Sequence, residues 1–179
     1  MREAIPTRNI TAAQTTRSTR NRTLRDKETP DRTIASSYCT NAAQTISNNT
    51  TSIINYEDKL YDDYGCVTVG AAWKWTSIGV GVVSMLAAIL YDASTAWALQ
   101  EEASLMLYKN GVMVALLDRK DNFTTGSYAQ YIFLHGSFEV DVVKGDYLDV
   151  RTIQKSSADL PLNNNALANY VCFRLNRHG

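Results

Sequence analysis

The chain has 179 residues, with 18 basic and 18 acidic side chains and therefore no net charge at neutral pH. The balance hides an asymmetry: residues 1–37 hold eight basic and four acidic residues, a net charge of +4, and the remaining residues carry a net charge of −4. A polar, charged segment of this kind cannot build a hydrophobic core and is typical of an interaction tail.

Residues 1–37 are the first predicted element, an extended polar and basic N-terminal arm. The arm has too few large apolar side chains to offset its own ordering entropy, so we expect it to order only on a partner. A flexible tail and a nucleic-acid-binding arm are the alternatives, and the four acidic residues and the lack of aromatic residues disfavour nucleic acid. The basic residues expected to dock the arm on a partner are Arg8, Arg17, Arg20, Arg22, Arg25 and Arg32.

Residues 38–179 are the second predicted element, a single all-β domain. Candidate strands separated by turn signals lie at residues 38–46, 51–56, 66–76, 80–91, 104–108, 112–118, 128–143, 147–154 and 167–175. Asn110-Gly111 predicts a type I′ hairpin, and Lys144-Gly145-Asp146 predicts a second hairpin. A short helical turn within residues 95–107 is the alternative there. Antiparallel strands in this number predict a two-sheet jelly-roll sandwich.

Two further features bear on where the chain is made. It starts with a charged segment rather than the apolar stretch of a secretory signal, and its most apolar run, residues 78–90, is too short to cross a bilayer. We therefore expect a protein made inside a cell, with no membrane partner and with residues 78–90 as a buried strand. The widely spaced Cys39, Cys66 and Cys172 are expected to be buried free thiols.

The sequence does not group the residues that catalysis or metal binding needs. His135 and His178 are the two histidines, and neither completes a Ser/His/Asp or Cys/His set. Acidic residues at 57–58, 62–63 and 118–121 could form carboxylate pairs or calcium loops, but none has the ligand spacing of a calcium site, which favours solvated loops. We therefore expect no catalytic residue, no cofactor and no metal, and a melting temperature that a chelator leaves unchanged.

Aromatic residues are the stronger functional signal. Trp73 and Trp75 share one face of a candidate strand, which favours the core of the sandwich. Large aromatic side chains elsewhere would bury much area at a contact between subunits. The candidate residues for that contact are Tyr131, Phe133, Tyr170 and Phe173. His135 is expected in the same strand as Phe133, either buried or at a subunit interface.

Five segments, in their order along the chain, resemble the C1q/TNF-like jelly-roll domain of the phage and bacterial virion-protein type. They are residues 52–65 (SIINYEDKLYDDYG), 76–80 (TSIGV), 105–111 (LMLYKNG), 145–151 (GDYLDVR) and 169–175 (NYVCFRL). The resemblance covers residues 35–175 and nothing in the arm. No collagen-like Gly-x-y stalk precedes these segments, which disfavours the animal complement branch.

The resemblance implies a compact homotrimer built for attachment, without catalysis. The corresponding function is a structural phage virion protein, either a capsid decoration (cement) protein or a head-fibre protein, assembled in the host cytoplasm. Its arm, residues 1–37, would then dock on the major capsid protein or another virion protein. A receptor- or glycan-binding module of a phage tail or bacterial surface is the first alternative, with a host surface glycan or receptor as partner. A cellular TNF/C1q-like ligand is the second.

Overall fold

The computed structural model describes residues 34–40, 42–92, 96–97, 101–121, 128–129 and 131–177, with backbone alone for 96–97 and 128–129. The described residues form strands and connecting turns without a helix. Among them, no helix exists of the length and hydropathy that crossing a membrane requires. Residues 1–33 of the arm, with its six arginines from Arg8 to Arg32, lie outside the described residues, as does His178.

Fifteen strands follow one another within the described residues. They are β1 (Ile34–Cys39), β2 (Thr45–Ile46), β3 (Ser52–Ile53), β4 (Asp58–Asp62), β5 (Val67–Thr68), β6 (Lys74–Thr76), β7 (Gly81–Tyr91), β8 (Ala96–Trp97), β9 (Glu102–Lys109), β10 (Val112–Asp121), β11 (Tyr128–Ala129), β12 (Ile132–Val142), β13 (Tyr147–Gln154), β14 (Leu160–Pro161) and β15 (Tyr170–Arg177). The expected all-β class is confirmed, and β9 occupies residues 102–107 of the segment in which a helical turn was considered.

Two antiparallel sheets form the sandwich. The five-stranded sheet has the order β12-β7-β15-β1-β4, and the six-stranded sheet has the order β10-β9-β13-β6-β5, with β3 paired to β13. Two short ladders, β11-β8 and β14-β2, complete the pairing. Strands adjacent in each sheet are mostly distant in sequence, which is the pattern of a jelly roll rather than of a simple meander.

The hairpin predicted at Asn110-Gly111 is present, but the one predicted at Lys144-Gly145-Asp146 is wrong: the strands on either side of that turn, β12 and β13, belong to different sheets and do not pair. Asn110 and Gly111 adopt φ values of 52° and 80°, the left-handed values that a type I′ turn requires at both central positions. Gly145, with φ of 93°, turns the chain between β12 and β13. The first turn sets the register of β9 with β10, and the second carries the chain from the five-stranded to the six-stranded sheet.

An aromatic cluster joins the two sheets at the centre of the core. Trp73 and Trp75 are fully buried, which confirms their assignment to the sandwich core. Phe173 of β15 stacks on Trp75 with ring centroids 5.3 Å apart, and Tyr56 meets Trp73 edge-on at 5.3 Å. The Trp73 indole N–H donates to the carbonyl oxygen of Tyr56 over 2.8 Å, so this ring is held by a hydrogen bond as well as by packing.

Phe173 is therefore a core residue and not the subunit-contact residue that the sequence suggested. Successive side chains of a strand point to opposite faces, so Phe173 faces inward while its neighbours Cys172 and Arg174 face outward. The sequence placed Phe173 and Tyr170 together, but they are three positions apart and lie on opposite faces of β15. Only Tyr170 of the two reaches the outer surface of the sheet.

Candidate functional surfaces

The outer surface of the five-stranded sheet carries an apolar patch, flanked on β12 by the exposed His135 and Ser137. Across the ladder, Leu90 pairs with Phe133, and Leu86 pairs with Cys172, so each pair shares the outward side. Leu86 is 37% exposed and Phe133 is 41% exposed, although both lie on long, regular strands. We call this patch the apolar face and define it by Leu86, Leu90, Phe133, Tyr170 and Cys172.

Sequence reasoning identified part of this face and missed the rest. Phe133 and Tyr170 belong to it, and Tyr131, 61% exposed, lies just before β12. Leu86 and Leu90 were overlooked, although the apolar run at residues 78–90 held a signal. A strand that is apolar on both faces is typical of a strand covered on both sides, whereas a solvated outer face shows polar alternation.

The opposite end of the same outer surface is polar. Ser84 pairs with Glu139 on one side and with Arg174 on the other, and its hydroxyl donates to Glu139 Oε1 over 2.8 Å. His135 lies between this polar end and Phe133, and its ring is 5.2 Å from that of Phe133. His135 is thus an exposed strand residue in the single chain rather than a buried one.

A second exposed apolar row runs along β10, the edge strand of the six-stranded sheet. Register shifts interrupt its pairing with β9, and the side chains beside them turn outward. The exposed members of this row, which we call the β10 row, are Val112, Met113, Val114 and Leu116. An edge strand with unpaired backbone groups and apolar side chains is a surface that proteins usually cover.

A pocket of about 170 Å³ opens on the outer surface of the six-stranded sheet. Its polar wall is formed by Lys74, Tyr147, Asp149 and Arg151, and its apolar part by Ile53, Ala72 and Trp73. We call it the charged pocket. The sequence did not point to it because its residues come from separate strands. The only available signal was the alternation Tyr147-x-Asp149-x-Arg151, which places three polar side chains on one side of β13.

The acidic loops that were considered for calcium have structural roles. Asp62 is buried and accepts hydrogen bonds from the backbone N–H of Cys66 (2.9 Å) and Val67 (3.1 Å) and from the Tyr38 hydroxyl (3.0 Å). Asp118 accepts from the backbone N–H of His135 over 3.2 Å. Within the described ranges, no three His, Cys, Asp or Glu side chains converge as a metal site would need.

Two of the three cysteines match their expected burial. Cys39 and Cys66 are buried and free, and burial raises the pKa of the Cys66 thiol to about 11. Cys172 is free but only half-buried, on the apolar face, with its sulfur 3.1 Å from the Ser37 hydroxyl oxygen. A thiol with a raised pKa is a weak nucleophile at neutral pH, so Cys66 does not resemble a catalytic cysteine.

No protein-family profile matches the chain, and no curated protein matches it in sequence. Solved structures do match its fold. An Eiger TNF from S. frugiperda superposes with a TM-score of 0.57 at 12% identity, covering 80% of this chain and 92% of the other. Murine APRIL gives 0.52 at 9% identity, with 80% and 99% covered. The globular domain of zebrafish complement 1qA gives 0.50 at 16% identity, with 78% and 93% covered.

Proposed function

We propose that this TNF/C1q-like jelly roll is a non-catalytic structural module that assembles into a homotrimer through its apolar face. The observation that carries the proposal is the apolar face itself. Leu86 lies at the middle of β7 and Leu90 near its end, both on the outward side of a regular strand, where a side chain would ordinarily be polar. Covering this face with further copies of the chain removes it from water, and it fits the homotrimer that the sequence resemblance implies.

Cyclic assembly needs two different patches on each subunit, because a threefold contact joins one surface to another rather than to itself. The chain offers both patches: the apolar face and the β10 row. The two patches lie on separate sheets of the sandwich. The apolar face of one protomer can therefore contact the β10 row of the next protomer, so that each patch is used once. A twofold contact would use one patch alone and leave the other exposed.

The virion role rests on the arm. We propose that the trimer decorates a phage capsid or forms part of a head fibre, and that residues 1–37 dock on the major capsid protein or another virion protein. The +4 charge of the arm suits an acidic groove. The body supports such anchoring because the last residues of the arm, from Ile34, form β1, which pairs with β15 on one side and β4 on the other.

Light scattering of the full chain tests the assembly. We expect a mass of about 60 kDa, three times the 19.9 kDa of one chain. Leu86→Arg, at the centre of the apolar face, should give monomers, because a charge buried without a partner opposes association. Val69→Arg is the matched control, since Val69 is also an exposed apolar residue but lies on the six-stranded sheet side. A wild-type monomer at micromolar concentration, or equal behaviour of both variants, would overturn the proposal.

Removal of residues 2–33 tests the arm. We expect the shortened protein to remain a folded trimer and to lose its incorporation into particles, with binding of the full chain weakening as salt is raised. Substitution of the six arginines by glutamine, with the length unchanged, separates charge from chain length. Normal decoration by the shortened protein would move the docking surface from the arm to the jelly roll.

A further inference from the structure

The charged pocket forms where β13 changes its partner. β13 pairs with β6 through Tyr147 and Leu148 and with β3 through Arg151 and Thr152. Between these pairs the sheet separates, and the backbone N–H of Ile54 reaches across to the carbonyl oxygen of Val150 over 3.0 Å. The opening thus follows from the strand pairing along β13, and the loop before β6 adds Ala72 and Trp73 to its lining.

A buried ion pair forms one wall and holds its cation in place. Asp149 is 2% exposed, and it accepts from Arg151 Nε (2.5 Å) and Nη2 (3.2 Å). The guanidinium lies 4.0 Å from the ring centroid of Tyr108. The hydrogen bonds to Asp149 raise the pKa of Arg151 above its usual value. Two of the five guanidinium N–H groups have acceptors among the described residues, so the remaining donors are available to a ligand.

Lys74 gives the pocket a surplus positive charge. Its ammonium lies 5.1 Å from the ring centroid of Tyr147, and within the part of the chain that the structure describes it has no carboxylate or hydrogen-bond partner. Asp149 and Arg151 neutralise one another, which leaves one net positive charge at the pocket wall. An ammonium held against an aromatic ring can still donate to an anion, because the ring occupies only one side of it.

The opposite wall is apolar and the space is small. Trp73 lies at the base with its N–H committed to the Tyr56 carbonyl oxygen, and Ile53 and Ala72 line the rim. A volume of about 170 Å³ is below the roughly 300–1,000 Å³ of sites that take a drug-sized ligand. The pocket therefore suits a single ring with one apolar side and one anionic group.

We propose that the charged pocket binds the carboxylate-bearing ring of an acidic saccharide, such as a uronic acid. The carboxylate meets Lys74 and the remaining N–H groups of Arg151, while the apolar side of the ring lies against Ile53 and Ala72. This inference goes beyond the structural role proposed above and does not depend on it. The pocket is on the outer surface of the six-stranded sheet, and the apolar face is on that of the other sheet.

Calorimetric titration of the full chain with four compounds tests the proposal. D-glucuronate should bind with a dissociation constant on the order of 1 mM, as expected for a single small ring. Glucose tests the carboxylate, acetate tests the ring, and inorganic sulfate tests a simple anion site. The proposal requires glucuronate to bind at least about fivefold more tightly than each of the others. The proposal is overturned if glucose, acetate or sulfate binds as tightly as glucuronate. It is also overturned if glucuronate does not bind at a concentration about 20 times the expected dissociation constant.

Two surface substitutions locate the site. Lys74→Gln removes the charge and keeps a polar side chain, so it should weaken glucuronate binding about fivefold or more, whereas the exposed Lys144→Gln should not. Ala72→Phe fills the pocket and should abolish binding, whereas Ala71→Phe, at the neighbouring exposed position, should leave it intact. If both members of either pair behave alike while the variants keep the wild-type circular dichroism and melting temperature, the ligand binds elsewhere and the assignment is wrong.

Discussion

Phe173 holds the two sheets together at the level of a single side chain. Its ring stacks on Trp75, and a second contact places it 6.1 Å from the ring of Trp73. Phe173→Ala should lower the free energy of unfolding by about 3–5 kcal/mol, because it leaves a cavity between rings that cannot collapse. Urea denaturation at fixed protein concentration measures this change.

Phe133 provides the matched comparison for Phe173. It is exposed in the single chain, so Phe133→Ala should change the mass in solution rather than the stability of the subunit. A smaller loss of subunit stability for Phe173→Ala than for Phe133→Ala would contradict the assignment of the two rings to core and surface.

Asp62 and Asp63, the neighbouring carboxylates at the end of β4, are expected to differ in their effect on stability. Asp62→Ala leaves buried N–H groups and the Tyr38 hydroxyl without their acceptor, so we expect a loss of about 2–4 kcal/mol in unfolding free energy. The adjacent Asp63 is exposed, and Asp63→Ala should change stability by less than about 0.5 kcal/mol. Thermal melting of both variants decides the matter. A similar loss for both would mean that overall charge, and not hydrogen bonding, stabilises this turn.

At the scale of elements, Asp146 joins the turn between the two sheets to the β9–β10 hairpin. It accepts from the Val143 backbone N–H (2.9 Å) and from Asn110 Nδ2 (2.8 Å), and it pairs with Lys109 Nζ over 2.9 Å. Thus the turn between β12 and β13 is bonded to the turn between β9 and β10. These hydrogen bonds, led by that from Val143, lower the pKa of Asp146 from 3.8 to about 2.

This lowered pKa predicts how stability varies with pH. A carboxylate that titrates lower in the folded protein contributes stability that is complete above its unfolded pKa and is lost as the pH falls through about 2. Asp146→Asn should therefore melt below the wild type at pH 5 to 7, and the difference should shrink as the pH approaches about 2. Asp63→Asn is the control. A difference that stays constant from pH 5 to pH 2 would assign the effect to geometry alone.

Gly81 sets how closely β7 and β15 approach at their ends. A Cβ at this position would collide with the carbonyl oxygen of Asn176. Gly81→Ala should therefore lower the unfolding free energy by about 3 kcal/mol through backbone displacement. Gly65 has φ of 63° with no atom within 4 Å of an added Cβ, so Gly65→Ala should show only the strain of that conformation, about 1–2 kcal/mol. The midpoints of urea denaturation rank the stabilities of the two variants. A greater loss of stability for Gly65→Ala than for Gly81→Ala would contradict the close approach of β7 and β15 at Gly81.

The sequence predicted strands well where side-chain alternation was regular. β13 coincides with the predicted residues 147–154, and β7 differs from its prediction by one residue. β4 was missed because Asp58–Asp62 has mostly polar side chains. It is an edge strand that joins the sheet by backbone hydrogen bonds to β1, and backbone bonds leave no trace in side-chain pattern. β1 begins at Ile34, so the sheet includes residues 34–37, which the sequence analysis assigned to the arm.

The surfaces were harder to predict than the strands. Tyr131 and Phe133 could be named as candidate contacts because exposed aromatic residues are conspicuous, but Phe173 looked the same in sequence and proved to be core. The charged pocket could not be predicted from the sequence, because Lys74 and Asp149 are brought together by the order of strands in the sheet. Strand order depends on long-range pairing, which local pattern does not report.

At the scale of the whole molecule, Cys172 reports on assembly. Its thiol is half-buried in the single chain and belongs to the apolar face, so the proposed trimer should cover it. We expect slow labelling by a maleimide in the wild type and labelling about tenfold faster in the monomeric Leu86→Arg variant, as a covered thiol reacts only when it is exposed. Cys39 and Cys66 are buried in either state and serve as internal controls. Equal labelling of Cys172 in both proteins would place the subunit contact elsewhere.

The position of β1 also has a mechanical consequence. β1 is an interior strand, paired from Ile34 to Cys39 with β15 and from Ser36 to Cys39 with β4. Tension applied through residue 33 therefore pulls along a strand that is hydrogen-bonded on both edges. Its backbone bonds are loaded together in shear rather than broken one at a time, as they would be in a strand peeled from an edge. The subunit is built to bear load at the point where the arm leaves it.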